Sequence, residues 1–134
     1  MKKKLSTRQA LEKEIEKLHP IYIRQRDGNR CVVCGSTSQP TCGHIFSRRS
    51  RATRWDIDPN GGNTFCQCWS CNFRHGGYGG GPRKSWPYFR WYINKFGIDK
   101  LNELEARSNT VKKHTLDELE ELAKFLREHV SNNN

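Results

Sequence analysis

Two short phrases constrain this chain more than any other feature: Cys31-Val-Val-Cys34 and Cys68-Trp-Ser-Cys71. Each C-x-x-C turn can hold one edge of a tetrahedral zinc, with Zn–S distances of about 2.3 Å. The turns lie 34 residues apart (68 − 34), so one ion would pin both ends of the middle region together. Such a staple suits a chain of 134 residues that is only 34% hydrophobic and 28% charged, because so thin a core needs support. Paired motifs of this kind favour metal over disulfide where thiols stay reduced. Cys66-Gln-Cys68 offers a rival ligand pair of less usual geometry. Cys42 and Cys66 read as small buried hydrophobes, with a second metal as the alternative. A thiol redox role for Cys66, Cys68 and Cys71 is a further alternative.

The amino terminus, "MKKKLSTRQALEKEIEK", is basic but lacks the apolar stretch of a signal peptide. No apolar run approaches the ~20 residues of a membrane span. The chain is therefore expected in the cytoplasm, with no membrane partner. Its formal net charge of +10 points to a polyanion, nucleic acid first. "SRRSRATR" places Arg48, Arg49, Arg51 and Arg54 within eight residues, and guanidinium groups clamp phosphates bidentately. Arg74, Arg83 and Lys84 extend the candidate surface, and Lys2–Lys4 could trail along it. Phosphate contacts position a duplex without reading its sequence.

The expected fold class is α+β: a zinc-stapled core flanked by N- and C-terminal helices. Residues 1–30 form the helical arm, 31–82 the core and 83–134 the C-terminal helices, in one compact domain. Ser6 and Gln9 make a capping box, and Leu11, Ile15, Leu18 and Tyr22 line one helical face. Pro20 should break or kink that helix, and its Lys and Arg residues should be solvated. "QPTCGHIF" and "NTFCQC" read as strands, "WSCNFRHG" as a short helix and Gly76–Pro82 as a flexible loop. Pro87 suits a first helical position, ahead of an aromatic core stripe of Tyr88, Trp91, Tyr92 and Phe96. "IDKLNELEA" is a short helix after Gly97. Thr115 and Glu118 cap a last helix with a leucine face, which serves either the monomer core or a homodimer.

Zinc explains the cysteines but not the amides around them. His44 ends the first strand candidate, Asn63 opens the second, and Asn72 follows the last zinc ligand directly. His44, Asn63 and Asn72 match the H-N-N form of the HNH, or ββα-metal, nucleases, with a spacing of nine (72 − 63) between the last two. The phrases "YIRQRD", "CVVCG", "GHIFSR", "RWD" and "QCWSCN" together resemble the phage NinG (Rap) recombination endonucleases. That resemblance runs from about Tyr22 to Gly97.

The resemblance implies a ββα-metal core and an endonuclease acting on branched DNA, such as Holliday junctions and D-loops, during phage or prophage recombination. Hydrolysis of a phosphodiester needs an activated water and a stabilised leaving oxygen. His44 is the candidate general base, because a neutral imidazole suits proton abstraction near pH 7. Asn72 is the candidate amide ligand to a catalytic Mg²⁺ or Mn²⁺. Asn63 is expected to shape the loop and orient His44. Many HNH enzymes carry a metal-binding Asp before the base, where this chain has Gly43. Asp56, Asp58 or His75 are the candidate replacements. His75 lies three residues after Asn72, on the same helical face. A zinc-stabilised DNA-binding module without catalysis is the alternative, since a binder needs the cysteines and arginines but neither His44 nor Asn72. Cutting two strands takes two sites, so a homodimer fits the nuclease reading.

Overall fold

The computed structural model describes residues 6–75 and 82–130. The amino-terminal lysines, residues 76–81 of the glycine-rich loop and the polar tail from 131 lie outside the described residues. Helix α1 spans Thr7–Arg26. It opens with a full capping box: the Ser6 hydroxyl accepts from the Gln9 amide at 3.1 Å, and the Gln9 side chain accepts from the Ser6 amide at 3.0 Å. Strand β1 (Pro40–His44) pairs antiparallel with β2 (Thr64–Cys68), in a register that sets Cys42 opposite Cys66 and His44 opposite Thr64. Helix α2 (Trp69–Arg74) follows β2 without a loop. Among the described residues, a 3-10 turn at Arg83–Ser85 and three α-helices follow: α3 (Pro87–Phe96), α4 (Ile98–Ser108) and α5 (Leu116–His129). The class is mixed α+β.

Strand residues alternate between faces, and each face of this ribbon meets different helices. One face carries Cys42, His44, Thr64 and Cys66, and α1 lies across it. His19 of α1 reaches Thr64 at 3.2 Å, and Arg26 donates to the Thr64 and Ile57 carbonyls at 2.8 Å each. The other face carries Thr41, Gly43, Phe65 and Gln67 and lies under α2 and α3. Asn72 donates to Thr41 at 3.0 Å, the Tyr88 hydroxyl donates to the Gly43 carbonyl at 2.9 Å, and Phe65 packs edge-on against Trp91. A two-stranded ribbon is marginal alone; here helices cover both faces.

Pro20 does not break α1. A helical Pro forfeits its own hydrogen bond and crowds the preceding turn. Ile15, His19 and Ile23 are buried on either side of it, and this packing carries the helix through. The helix also has two apolar faces where one is expected. Leu11, Leu18 and Tyr22 pack towards α5, while His19 and Ile23 turn towards the sheet. The leucine face of α5 is used within the chain: Leu119, Ala123 and Leu126 form a cluster with Ile15 and Trp55. A second cluster joins Ile45, Phe46 and Phe65 to Tyr88, Phe89 and Tyr92 of α3 and to Leu101 and Leu104 of α4. Pro87 takes the first turn of α3, and Gly97, at φ +95°, ends it.

The α1–α5 seam is therefore a test of the packing. Leu126 is fully buried there. Leu126→Ala is expected to cost about 2–5 kcal/mol by chemical denaturation. A loss below about 0.5 kcal/mol, the range of surface substitutions, would contradict a buried seam.

Candidate functional site

The four C-x-x-C thiols converge. The ligand atoms of Cys31, Cys34, Cys68 and Cys71 all lie within 4.8 Å of one another, and Cys34 Sγ is 3.7 Å from Cys68 Sγ. The first turn closes through Gly35 N–H to the Cys31 carbonyl at 2.9 Å, with Gly35 at φ +80°. In the second, Cys68 caps α2 and its sulfur accepts from the Cys71 amide. Burial pushes the Cys31 thiol up, but the backbone N–H groups of Cys34, Cys68 and Val33 outweigh it and bring it down to about 7. Burial and the neighbouring thiols push Cys71 up. A group of thiols that share one easily lost proton is suited to a soft cation, which replaces the remaining protons. Cys42 and Cys66 lie outside this group. Burial lifts their thiols to about 12 and about 11, so both stay protonated.

His44 ends β1 beside the arginine loop. Its Nε2 lies 3.0 Å from the Arg54 carbonyl. A carbonyl only accepts, so the proton sits on Nε2 and Nδ1 is the basic nitrogen. Burial lowers the His44 pKa, with Arg48 and Arg54 adding to the effect against Glu16 and the Arg54 carbonyl. The ring is therefore neutral at pH 7.

Asn63 touches none of this directly. It is fully buried, and its amide grips the loop: Oδ1 accepts from Phe46 N–H at 2.8 Å, and Nδ2 donates to the Phe46 and Thr53 carbonyls at 3.0 and 3.1 Å. It thereby fixes both ends of Ser47–Thr53 and, one residue on, the Arg54 carbonyl that holds His44. Arg48 and Arg49 project from the loop into solvent. Arg51 and Arg54 are engaged, with Glu12 at 3.4 Å and Glu16 at 2.7 Å. Arg74 is exposed on the outer side of α2.

Two clefts meet at His44. One, of about 310 Å³, brings His44 together with Ser47, Asn72, His75, Arg83 and Trp86. The Thr41 hydroxyl donates to the Gln67 carbonyl at 2.8 Å, so it can only accept from Asn72. That fixes the Asn72 amide, with Nδ2 on Thr41 and Oδ1 left as an acceptor. His75 Nε2 donates to the Ile45 carbonyl at 2.8 Å, which leaves a lone pair on Nδ1. The second cleft, of about 220 Å³, joins His44 to Glu16, His19, Arg24, Arg48 and Arg54.

The structure does not bring Asp56 to either cleft. Its carboxylate takes Arg107 at 2.9 Å and the Asp58 amide at 3.1 Å. Asp58 is exposed, and its carboxylate accepts from the Asn60 amide. The residues that sequence reasoning missed come from α1. His19 is buried, and burial drives it down to about 3. Glu16 receives both Arg54 and the Trp55 indole N–H. Arg24 faces the cleft with them. Their spacing in the helix gives no signal, because an amphipathic helix carries such residues on its wet face anyway.

Comparison with known proteins returns no match among curated proteins and none among solved structures. A family model, described as that of the bacteriophage lambda NinG protein, matches residues 1–133. With that match covering nearly the whole length, the chain belongs to the NinG family of bacteriophage proteins.

Proposed function

We propose that this protein is a metal-dependent DNA endonuclease of the ββα-metal class that cuts branched recombination intermediates in the bacterial cytoplasm. The observation that carries the reading is the cleft in which Asn72 and His75, on the helix beside the thiol cluster, come together with the tautomer-fixed His44. A mere binder has no use for a half-buried neutral imidazole with its basic nitrogen defined. The branched substrate rests on the family membership and on arginines that hold phosphate without reading bases.

The work divides among this chain's residues as follows. His44 Nδ1 takes the proton of the attacking water while its Nε2–H stays on the Arg54 carbonyl. Asn63 acts through the loop, as a positioning residue. Arg48 and Arg49, exposed beside the base, hold the scissile strand by its phosphates. The donors beside His44 fit a hard divalent cation: Asn72 offers an amide oxygen, and His75 offers a lone pair whose opposite ring nitrogen is tethered to a carbonyl, the usual arrangement for a ligating His. Mg²⁺ or Mn²⁺ bound there would neutralise charge on the phosphate and the leaving oxygen. The Cys31, Cys34, Cys68 and Cys71 set fits a structural Zn²⁺ instead, since four thiolates leave no open position.

One observation favours the non-catalytic DNA-binding reading. Among the described residues, no carboxylate lines the cleft shared by His44, Asn72 and His75. The two readings part on His44. His44→Ala is expected to lower single-turnover cleavage by about 10²–10⁴-fold, with DNA affinity and zinc content retained. Unchanged cleavage would remove the base assignment. The pH profile adds a second check. The base acts when deprotonated, and burial lowers its pKa below the usual 6.5, against a background of Glu16, His19, Arg24, Arg48 and Arg54. The rate should stay flat from pH 8 to 7 and fall with unit slope only below about 6.5.

Zinc makes a separate prediction. Native mass spectrometry should find one Zn²⁺ per chain, and Cys68→Ser should abolish it and lower Tm. Wild-type Tm unmoved by strong chelation would contradict a structural ion.

A further inference from the structure

Among the described residues, four buried side-chain atoms have no hydrogen-bond partner: Gln67 Oε1, Gln67 Nε2, His75 Nδ1 and Trp86 Nε1. Orphaned polar atoms are rare in a folded chain, and each costs about 1–3 kcal/mol. These four are not scattered. The Gln67 amide lies over Gly43, whose carbonyl takes the Tyr88 hydroxyl. The Tyr88 ring packs on the His75 ring with centroids 4.8 Å apart, and His75 packs on Trp86 at 5.7 Å. Successive contacts thus link the residues of all four orphans, from the sheet to the α2–α3 side of the molecule.

Gly43 explains why Gln67 is there. A Cβ at this position would overlap the Gln67 amide oxygen and sit 2.8 Å from its amide carbon. The glycine has an ordinary φ, so backbone freedom is not the reason for it. The space just before His44, where a side chain would project from β1, is filled from β2 by a fully buried amide. The same strand pair ties Gln67 to α2: its carbonyl takes the Thr41 hydroxyl, which accepts from Asn72.

We propose that Gln67 supplies the oxygen ligand that Gly43 cannot, completing a divalent-cation site with Asn72 Oδ1 and His75 Nδ1. The inference rests on the endonuclease reading above and adds a ligand to it. All three donors are neutral, so the protein brings no charge to offset the cation. The phosphate of bound DNA supplies it. Cation and DNA therefore bind cooperatively, each tightening the other by the same factor.

Mn²⁺ binding to the zinc-loaded protein, read by electron paramagnetic resonance with and without a non-cleavable phosphorothioate duplex, tests this without relying on activity. Wild type should bind Mn²⁺ at least tenfold more tightly with DNA than without. Gln67→Leu should weaken Mn²⁺ at least tenfold on DNA, yet leave Tm in the absence of divalent ions unchanged or higher, because it replaces an unpartnered amide with an apolar group of similar size. Gln67→Glu should tighten Mn²⁺ several-fold, a gain that an amide with a purely structural role would not give. Wild-type Mn²⁺ affinity in both variants would overturn the ligand assignment and leave the endonuclease reading standing. No Mn²⁺ bound by wild type, with or without DNA, would overturn both.

Discussion

Four sulfur atoms from two turns 34 residues apart must meet within 4.8 Å, and that closure decides where α2 lies. Cys68 is at once the last residue of β2, the cap of α2 and a member of the thiol cluster. The helix therefore cannot move independently of the sheet. Its inner side, with Cys71, Asn72 and His75, is held against the thiols, Thr41 and Ile45. Its outer side shows the stacked, exposed rings of Trp69 and Phe73. Burial and the neighbouring thiols raise Cys71 while backbone N–H groups lower Cys31, so a cation that replaces the thiol protons would favour the closure.

The ribbon then acts as a partition. Its α1 face is sealed by His19, Ile23 and Arg26, and its α2 face by the aromatic core of α3. His44 stands at the edge, where both clefts open. Asn63 is the counterpart of the thiol cluster on this side. Three hydrogen bonds tie its amide to loop backbone, so the arginine loop leaves and rejoins the core at fixed points. One polar anchor and one thiol cluster thus position the His44 ring, the exposed Arg48 and Arg49 and the Asn72–His75 pair on a very small core.

What the sequence made legible is what depends on local spacing. Both capping boxes, both strands, α2 and the proline start of α3 follow from residues within a few positions of each other. The thiol group was also legible, because C-x-x-C turns act as units. Pro20 misled because propensity is local while the packing of Ile15, His19 and Ile23 is not. Asp56 suggested a ligand by proximity in sequence, but Arg107, 51 residues later, claims its carboxylate. Gln67 gave no signal, since a Gln in a strand usually faces water. Only the register of β1 on β2 shows that it fills the space above a glycine.

The most direct measurement is cleavage by the zinc-loaded protein, with Mg²⁺, of an immobile four-way junction beside a linear duplex of the same sequence. The account predicts metal-dependent strand breaks close to the branch point and far less cutting of the linear duplex. Tight binding to both DNAs with no strand break in either Mg²⁺ or Mn²⁺ would contradict it. In that case the glycine before His44 marks a site that binds without cutting.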